Sequence, residues 1–177
     1  MIAERLAAID ERCSARLARA KPPRWFRVWM IWASRAGDGW LWGGVGLAVL
    51  SAGGPARLRT FGAAAIASIA GIGVFAWLKR RIGRRRPPHV HAWASIAAPD
   101  RFSFPSGHTI AAFAVAAAIA GVDGGRGVDL SLLFLASSVG LSRLALGLHY
   151  LSDVVAGAAI GAAIGIGAAA LMSSFTG

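Results

Sequence analysis

The chain has 177 residues, of which 56% are hydrophobic and 15% charged, and its net charge is +11. A mean hydropathy of +0.58 is too apolar for an ordinary soluble domain, and Gly and Ala are abundant inside the apolar runs, as expected where membrane helices pack closely. The positive charges cluster between those runs and not along one solvated face, which argues against nucleic acid as a partner and for anionic lipid headgroups and phosphate groups.

Residues 4–19 read as an amphipathic helix, with Leu6, Ile9, Cys13 and Leu17 on one stripe and Arg5, Arg12, Arg16 and Arg19 elsewhere. Residues 1–20 are charged throughout and have no apolar core segment, so they do not read as a cleavable signal peptide. Cys13 is the only cysteine, so an intrachain disulfide is excluded, and no Cys/His cluster has structural-zinc spacing. Pro22 and Pro23 end the first helix. Residues 24–35 mix Trp25, Trp29 and Trp32 with Arg24, Arg27 and Arg35 and are too short to span. They read as an interfacial helix at headgroup depth. GDG at 37–39 breaks the chain, with Asp38 as a turn residue. Five apolar segments follow, at 39–56, 60–78, 106–122, 128–146 and 149–173, with lengths that can span a bilayer. Gly157, Gly161 and Gly165 form a small-residue ridge on the last of them. The expected fold is an all-α integral-membrane helical bundle of about five transmembrane helices. It forms one membrane domain, with interfacial amphipathic helices at 1–36 and a transmembrane core at 37–177.

Three polar stretches interrupt the apolar pattern. KRRIGRRRP, at 79–87, sets Lys79 and Arg86 two helical turns apart, facing the same way if the helix continues to that point. A Lys point charge and an Arg fork can together hold phosphate oxygens. The competing reading is a basic anchor after a membrane helix, which suits Arg80, Arg81, Arg84 and Arg85. PSGH, at 105–108, opens a helix: Ser106 is a natural N-cap, Gly107 lets an anion approach the exposed N–H groups, and His108 stands one turn in. A plain cap with an incidental His competes. SRLALGLHYLSD, at 142–153, places Arg143, His149 and Asp153 among Leu, Ala and Gly. Charge at membrane depth is costly and marks function. Asp153 follows His149 by four residues, so on a helix the carboxylate can hold one imidazole nitrogen and leave the other free to attack. A satisfied His–Asp pair at a polar helix end competes. With five spans, all three stretches emerge on one membrane face. His89 and His91 have H-x-H spacing without further ligands and read as solvated loop residues or as lining for a substrate entrance; Asp100 reads as a loop charge.

In order, the stretches read Lys-x6-Arg-Pro, Pro-Ser-Gly-His and Ser-Arg-x5-His-x3-Asp. This resembles the three-part signature of the type 2 phosphatidic acid phosphatase family, which also includes glucose-6-phosphatases and vanadium haloperoxidases. Every defining position is filled, and the resemblance covers residues 79–153; the first 78 residues carry none of it. The resemblance implies that His149 is the nucleophile, giving a phosphohistidine, and that Asp153 orients it. It implies that His108 protonates the leaving oxygen and then activates water. Lys79, Arg86, Ser106, Gly107 and Arg143 would bind the phosphate and stabilise the transition-state charge, with no metal or cofactor required.

The expected function is an integral-membrane lipid phosphatase acting on a phosphomonoester or diphosphate: phosphatidate, phosphatidylglycerophosphate, or a polyprenyl phosphate or diphosphate. The alternatives are a phosphoryl transferase with a lipid phosphate donor and a non-catalytic binder or transporter of anionic lipid. A haloperoxidase does not fit, since those relatives are large and soluble. The expected location is a bacterial cytoplasmic membrane. Sixteen of the 19 Lys and Arg fall on the face of the motifs and three, Arg57, Arg59 and Arg126, on the other, which points the site toward the cytoplasm. Many membrane members of the family work instead on the outer face.

Overall fold

The computed structural model describes residues 2–88, 101–123 and 125–175. Among the described residues there are seven helices: α1 (Ile2–Arg19), α2 (Arg24–Ala36), α3 (Trp40–Ser51), α4 (Pro55–Ile82), α5 (Gly107–Asp123), α6 (Arg126–Ala145) and α7 (Leu151–Ser174). His89, His91 and Asp100, read above as loop residues, lie outside the described residues.

Among the described residues three helices are long and apolar enough to cross a membrane: Pro55–Ile82, Val128–Ala145 and Leu151–Ser174. The outward surface of α4 and α6 exposes Ile66, Ile69, Ile72, Trp77, Leu130, Leu133 and Phe134, which suits contact with lipid and not with water. The chain is therefore a multi-pass integral-membrane protein. The expected first and third spans are shorter than 18 residues: α3 has 12, and the apolar part of α5, Gly107–Val122, has 16 of that helix's 17. At about 1.5 Å per residue, α3 covers about 18 Å of a hydrocarbon core of about 30 Å. Gly53 and Gly54, both at positive φ, take the chain out of α3 early, and Pro55 starts α4.

α5 is the central helix, packed against α4, α6 and α7. It is apolar all round, and Ile110, Ala112, Ala114, Ala116 and Ala118 are all buried. On one side α5 joins Trp42, Ala64, Leu132, Ala136 and Val139. On another it meets Ala63, Ala67 and Ala168. The expected glycine ridge of α7 lies against it. A Cβ on Gly157 would stand 3.0 Å from the Ser106 carbonyl; on Gly161 and Gly165 it would meet the Ile110 and Ala114 carbonyls head-on. The two backbones thus touch where only glycine fits. α2 lies along α6, joined by a Trp29–Phe134 ring contact, while Trp25 and Trp32 stay exposed, as an interfacial helix requires.

This packing sets a test. Gly161→Val should cost about 1–3 kcal/mol through forced separation of α5 and α7. Gly167→Ala, where an added Cβ meets nothing within 4 Å, should be tolerated. Thermal unfolding of the two variants in detergent checks both.

Candidate active site

α4 ends at Gly83, whose φ of 61° is the left-handed conformation that glycine adopts without strain, and its N–H donates to the Lys79 carbonyl. The helix therefore does not continue from Lys79 to Arg86, as the spacing argument required. Residues 84–86 run extended instead, with Arg85 in an antiparallel bridge to Phe102. Alternate side chains of an extended segment share a face, so Arg84 and Arg86 point the same way. Arg86 reaches the turn before α7, and Arg84 reaches the first turn of α7 itself.

That turn is built from the end of α6. Gly147, at φ 72°, reverses the chain, and the Leu148 and His149 N–H groups donate to the Arg143 carbonyl. His149 precedes α7 and is not on it, contrary to the helical expectation; α7 begins at Leu151. Asp153, in the first turn of α7, accepts a 2.8 Å hydrogen bond from the Tyr150 N–H through Oδ2. The same oxygen lies 3.6 Å from His149 Nδ1. The pairing therefore holds by folding back and not by helical stacking. On its other side, His149 Nε2 lies 3.1 Å from Arg86 Nη1, which also donates to the Leu148 carbonyl at 2.7 Å. A guanidinium has only donors, so Nε2 is the acceptor and the ring proton sits on Nδ1, facing Asp153.

The second motif meets the third through backbone. The Ser106 N–H donates to the Asp153 carbonyl at 3.2 Å, and Ser106 Oγ accepts from Thr109 Oγ1 at 2.8 Å. Ser106 is fully buried and immediately precedes α5, which starts at Gly107. An added Cβ on Gly107 would strike the Phe75 ring at 2.8 Å, and Lys79 Nζ rests 4.5 Å from the centre of that ring. Arg143 is buried and donates to Ser34 Oγ of α2.

These groups enclose a cavity of ≈470 Å³. Lys79, Arg86, Gly107, His108, Arg143 and His149 line it, six of the eight residues singled out from sequence. Ser106 and Asp153 stand behind the wall. Three cations and one helix N-terminus with so little acid around them make a natural anion site. Among the described residues no group of three or more His, Cys, Asp or Glu could hold a metal ion.

Three acidic or basic residues join the site: Asp38 and Arg84, which the sequence reading gave to other tasks, and Asp10, to which it gave none. Asp38, read as a turn residue, lines the cavity and its Oδ1 lies 2.8 Å from His108 Nε2. A carboxylate can only accept, so His108 carries its proton on Nε2. Arg84, read as a membrane anchor, donates from Nη1 to Asp153 Oδ1 at 3.0 Å and to Ser152 Oγ at 2.7 Å. Asp10 of α1 accepts from Arg84 Nη2 at 2.7 Å and from the Ser152 N–H at 2.9 Å. A signal for Asp10 was present: it sits in line with Leu6, Cys13 and Leu17, a charge on an otherwise apolar stripe.

Burial pushes the His149 imidazole down to about 4; Arg143 and Arg86 push the same way, and Asp153 opposes them. The neutral form therefore predominates above about pH 4. The acid limb of kcat/KM should not carry an imidazole near pH 6.5. It should track the second ionisation of the substrate phosphate, near pH 6, and move when a substrate of different phosphate pKa is used. Profiles for two such substrates check this; one fixed limb near 6.5 would contradict it.

The PAP2 superfamily profile matches residues 58–176. Decaprenylphosphoryl-5-phosphoribose phosphatase of Mycobacterium tuberculosis is 35% identical over 112 residues, 63% of this chain and 60% of that protein. Lipid A 1-phosphatase of Rhizobium johnstonii is 40% identical over 95 residues, 48% of this chain and 36% of that protein. The chain thus spans less than two thirds of the length of these curated relatives. Among solved structures, a transmembrane PAP2-type phosphatidylglycerolphosphate phosphatase from Bacillus subtilis superposes with a TM-score of 0.74 at 21% identity, covering 97% of this chain and 86% of that one. Aquifex aeolicus LpxE superposes with a TM-score of 0.73 at 22% identity, covering 88% and 91%. Matched over residues 58–176, with all three motifs gathered on one cavity, this chain belongs to the PAP2 superfamily.

Proposed function

We propose that the protein is an integral-membrane lipid phosphatase that works through a phosphohistidine on His149. The observation that carries the reading is the opposed pair of imidazoles on one cationic cavity. His149 presents an unprotonated Nε2, and His108 presents a protonated one.

The chemistry follows from those proton positions. A phosphoryl group held by Lys79, Arg86, Arg143 and the N–H groups at Gly107 draws Arg86 off Nε2 and onto phosphate oxygen. That move exposes the nucleophile only when substrate is bound. Nε2 attacks phosphorus as the bond to the leaving oxygen breaks, and His108, acting as the imidazolium after its ring takes up a second proton from solvent beside Asp38, gives one proton to that oxygen and is left as neutral imidazole. His149 gains positive charge, which Asp153 stabilises across Nδ1. Water then attacks the phosphohistidine, gives its proton to the now basic His108, and releases phosphate. Ser106, with its hydroxyl taken by Thr109, serves by holding the start of α5 in place. The three cations stabilise the spreading phosphoryl charge.

The leaving group must point away from His149, toward His108 and Asp38. There the cavity adjoins an apolar groove of ≈280 Å³ between α3 and α4, lined by Trp42, Phe61 and Val115 and sharing Gly39, Ile72 and Ala111 with the site. An apolar groove at the leaving-group side favours a lipid over a soluble sugar phosphate. Polyprenyl-linked phosphates and lipid A phosphates are the named substrates of relatives, and phosphatidate and phosphatidylglycerophosphate belong in the same panel. Phosphate release from those lipids in detergent with chelator present should identify the substrate.

His149→Ala should lower turnover by at least about 10³-fold while the protein inserts and unfolds as wild type does. Rapid quench of the wild type should trap acid-labile phosphate on the protein, and the variant should trap none. Normal turnover by His149→Ala would end the mechanism.

A further inference from the structure

The nucleophilic pair has a support that the three motifs leave out. Asp153 is fully buried, and its two oxygens have different tasks: Oδ2 faces His149 and Tyr150, while Oδ1 accepts from Arg84. Arg84 is held in turn by Asp10, which is 2% exposed and lies at the middle of α1. Asp10 also accepts from the N–H and the hydroxyl of Ser152, so it grips both the arginine and the first turn of α7. The Arg84 guanidinium lies 4.1 Å from the centre of the Tyr150 ring, which closes its remaining face. A fork between two buried carboxylates has one geometry; a carboxylate left beside His149 without that fork could turn or take up a proton.

We propose that Asp10 and Arg84 are positioning residues for the His149–Asp153 pair, so that α1, which lies outside the matched residues 58–176, is part of the catalytic apparatus. The chain Asp10–Arg84–Asp153–His149 fixes the direction in which Asp153 faces Nδ1, and through it the direction in which Nε2 faces the phosphate. Burial raises the Asp10 pKa but is outweighed by the Ser152 and Arg84 hydrogen bonds, so the carboxyl is held below its ordinary value and stays charged at neutral pH. α1 thus contributes a permanent negative charge, and its exposed Leu6 and Ile9 remain available to the headgroup layer.

The inference rests on His149 being the nucleophile. Its test uses the full chain in detergent, with phosphatidate, phosphatidylglycerophosphate and a polyprenyl diphosphate as substrates. Asp10→Asn keeps the shape and removes the charge. It should lower kcat about 10- to 100-fold with KM within about twofold, because misdirection of a reacting group costs rate and not binding. Glu11→Gln, next along α1 and exposed, should leave kcat unchanged. Arg84→Lys should lose as much as Asp10→Asn, and the double variant no more than the larger single loss. Guanidinium ion should restore part of kcat to Arg84→Ala only while Asp10 is present, a response that general loosening of the fold would not give. Wild-type kcat in Asp10→Asn, or losses that add in the double variant, would overturn the inference. Active His149→Ala, or no release from any of the three lipids by wild type, would instead defeat the underlying function.

Discussion

The site depends on the His149–Asp153 pair being flanked by two arginines of one short extended segment. Arg86 meets Nε2 of His149, and Arg84 meets the carboxylate that faces Nδ1. Both contacts need residues 84–86 extended, and that needs α4 to stop at Gly83. Had the helix run on, Arg84 and Arg86 would project about 200° apart and could not flank the same pair. A single left-handed glycine therefore converts a basic helix end into a two-pronged clamp.

The clamp works because its platform is rigid. α7 lies on α5 with backbone against backbone at Gly161 and Gly165, and the Asp153 carbonyl accepts from the Ser106 N–H at the top of the same contact. The helix start that faces the phosphate and the helix start that carries Asp153 are thus one unit. Electrostatics follow the same economy. Of eight acidic residues in the chain, Asp10, Asp38 and Asp153 lie at the site, and each accepts from a particular nitrogen-bearing group. The cavity stays cationic toward a phosphate while its own cations and imidazoles are held in direction.

Much of this was legible in the sequence, and the reasons for the rest are physical. All-helical architecture, the membrane setting and the α7 ridge follow from apolar run lengths and small-residue spacing, and the six cavity-lining residues from polar stretches inside apolar runs read together with their resemblance to a three-part family signature. The route by which those residues meet was not legible. Helical spacing put Lys79 with Arg86 and His149 with Asp153, but α4 ends at Gly83, before Arg86, and His149 lies ahead of α7, which starts only at Leu151. Gly83 and Gly147, both at positive φ, turn the chain at those two places. Asp10, Asp38 and Arg84 were missed because their partners are distant: Asp10 meets Arg84 across 74 residues and Asp38 meets His108 across 70. The length of α3 was overestimated because apolar composition continues past Ser51, while Gly53 and Gly54 end the helix.

The central claim is that His149 Nε2 is the reacting atom and is released by Arg86 when phosphate arrives. A structure of the protein with vanadate tests it most directly, since five-coordinate vanadate mimics the phosphoryl transition state. The account predicts vanadium bonded to His149 Nε2, with Arg86 moved onto a vanadate oxygen alongside Lys79 and Arg143, and His108 Nε2 on the apical oxygen opposite. Vanadate bound elsewhere, or bound in the cavity with Arg86 still on His149 Nε2, would contradict it.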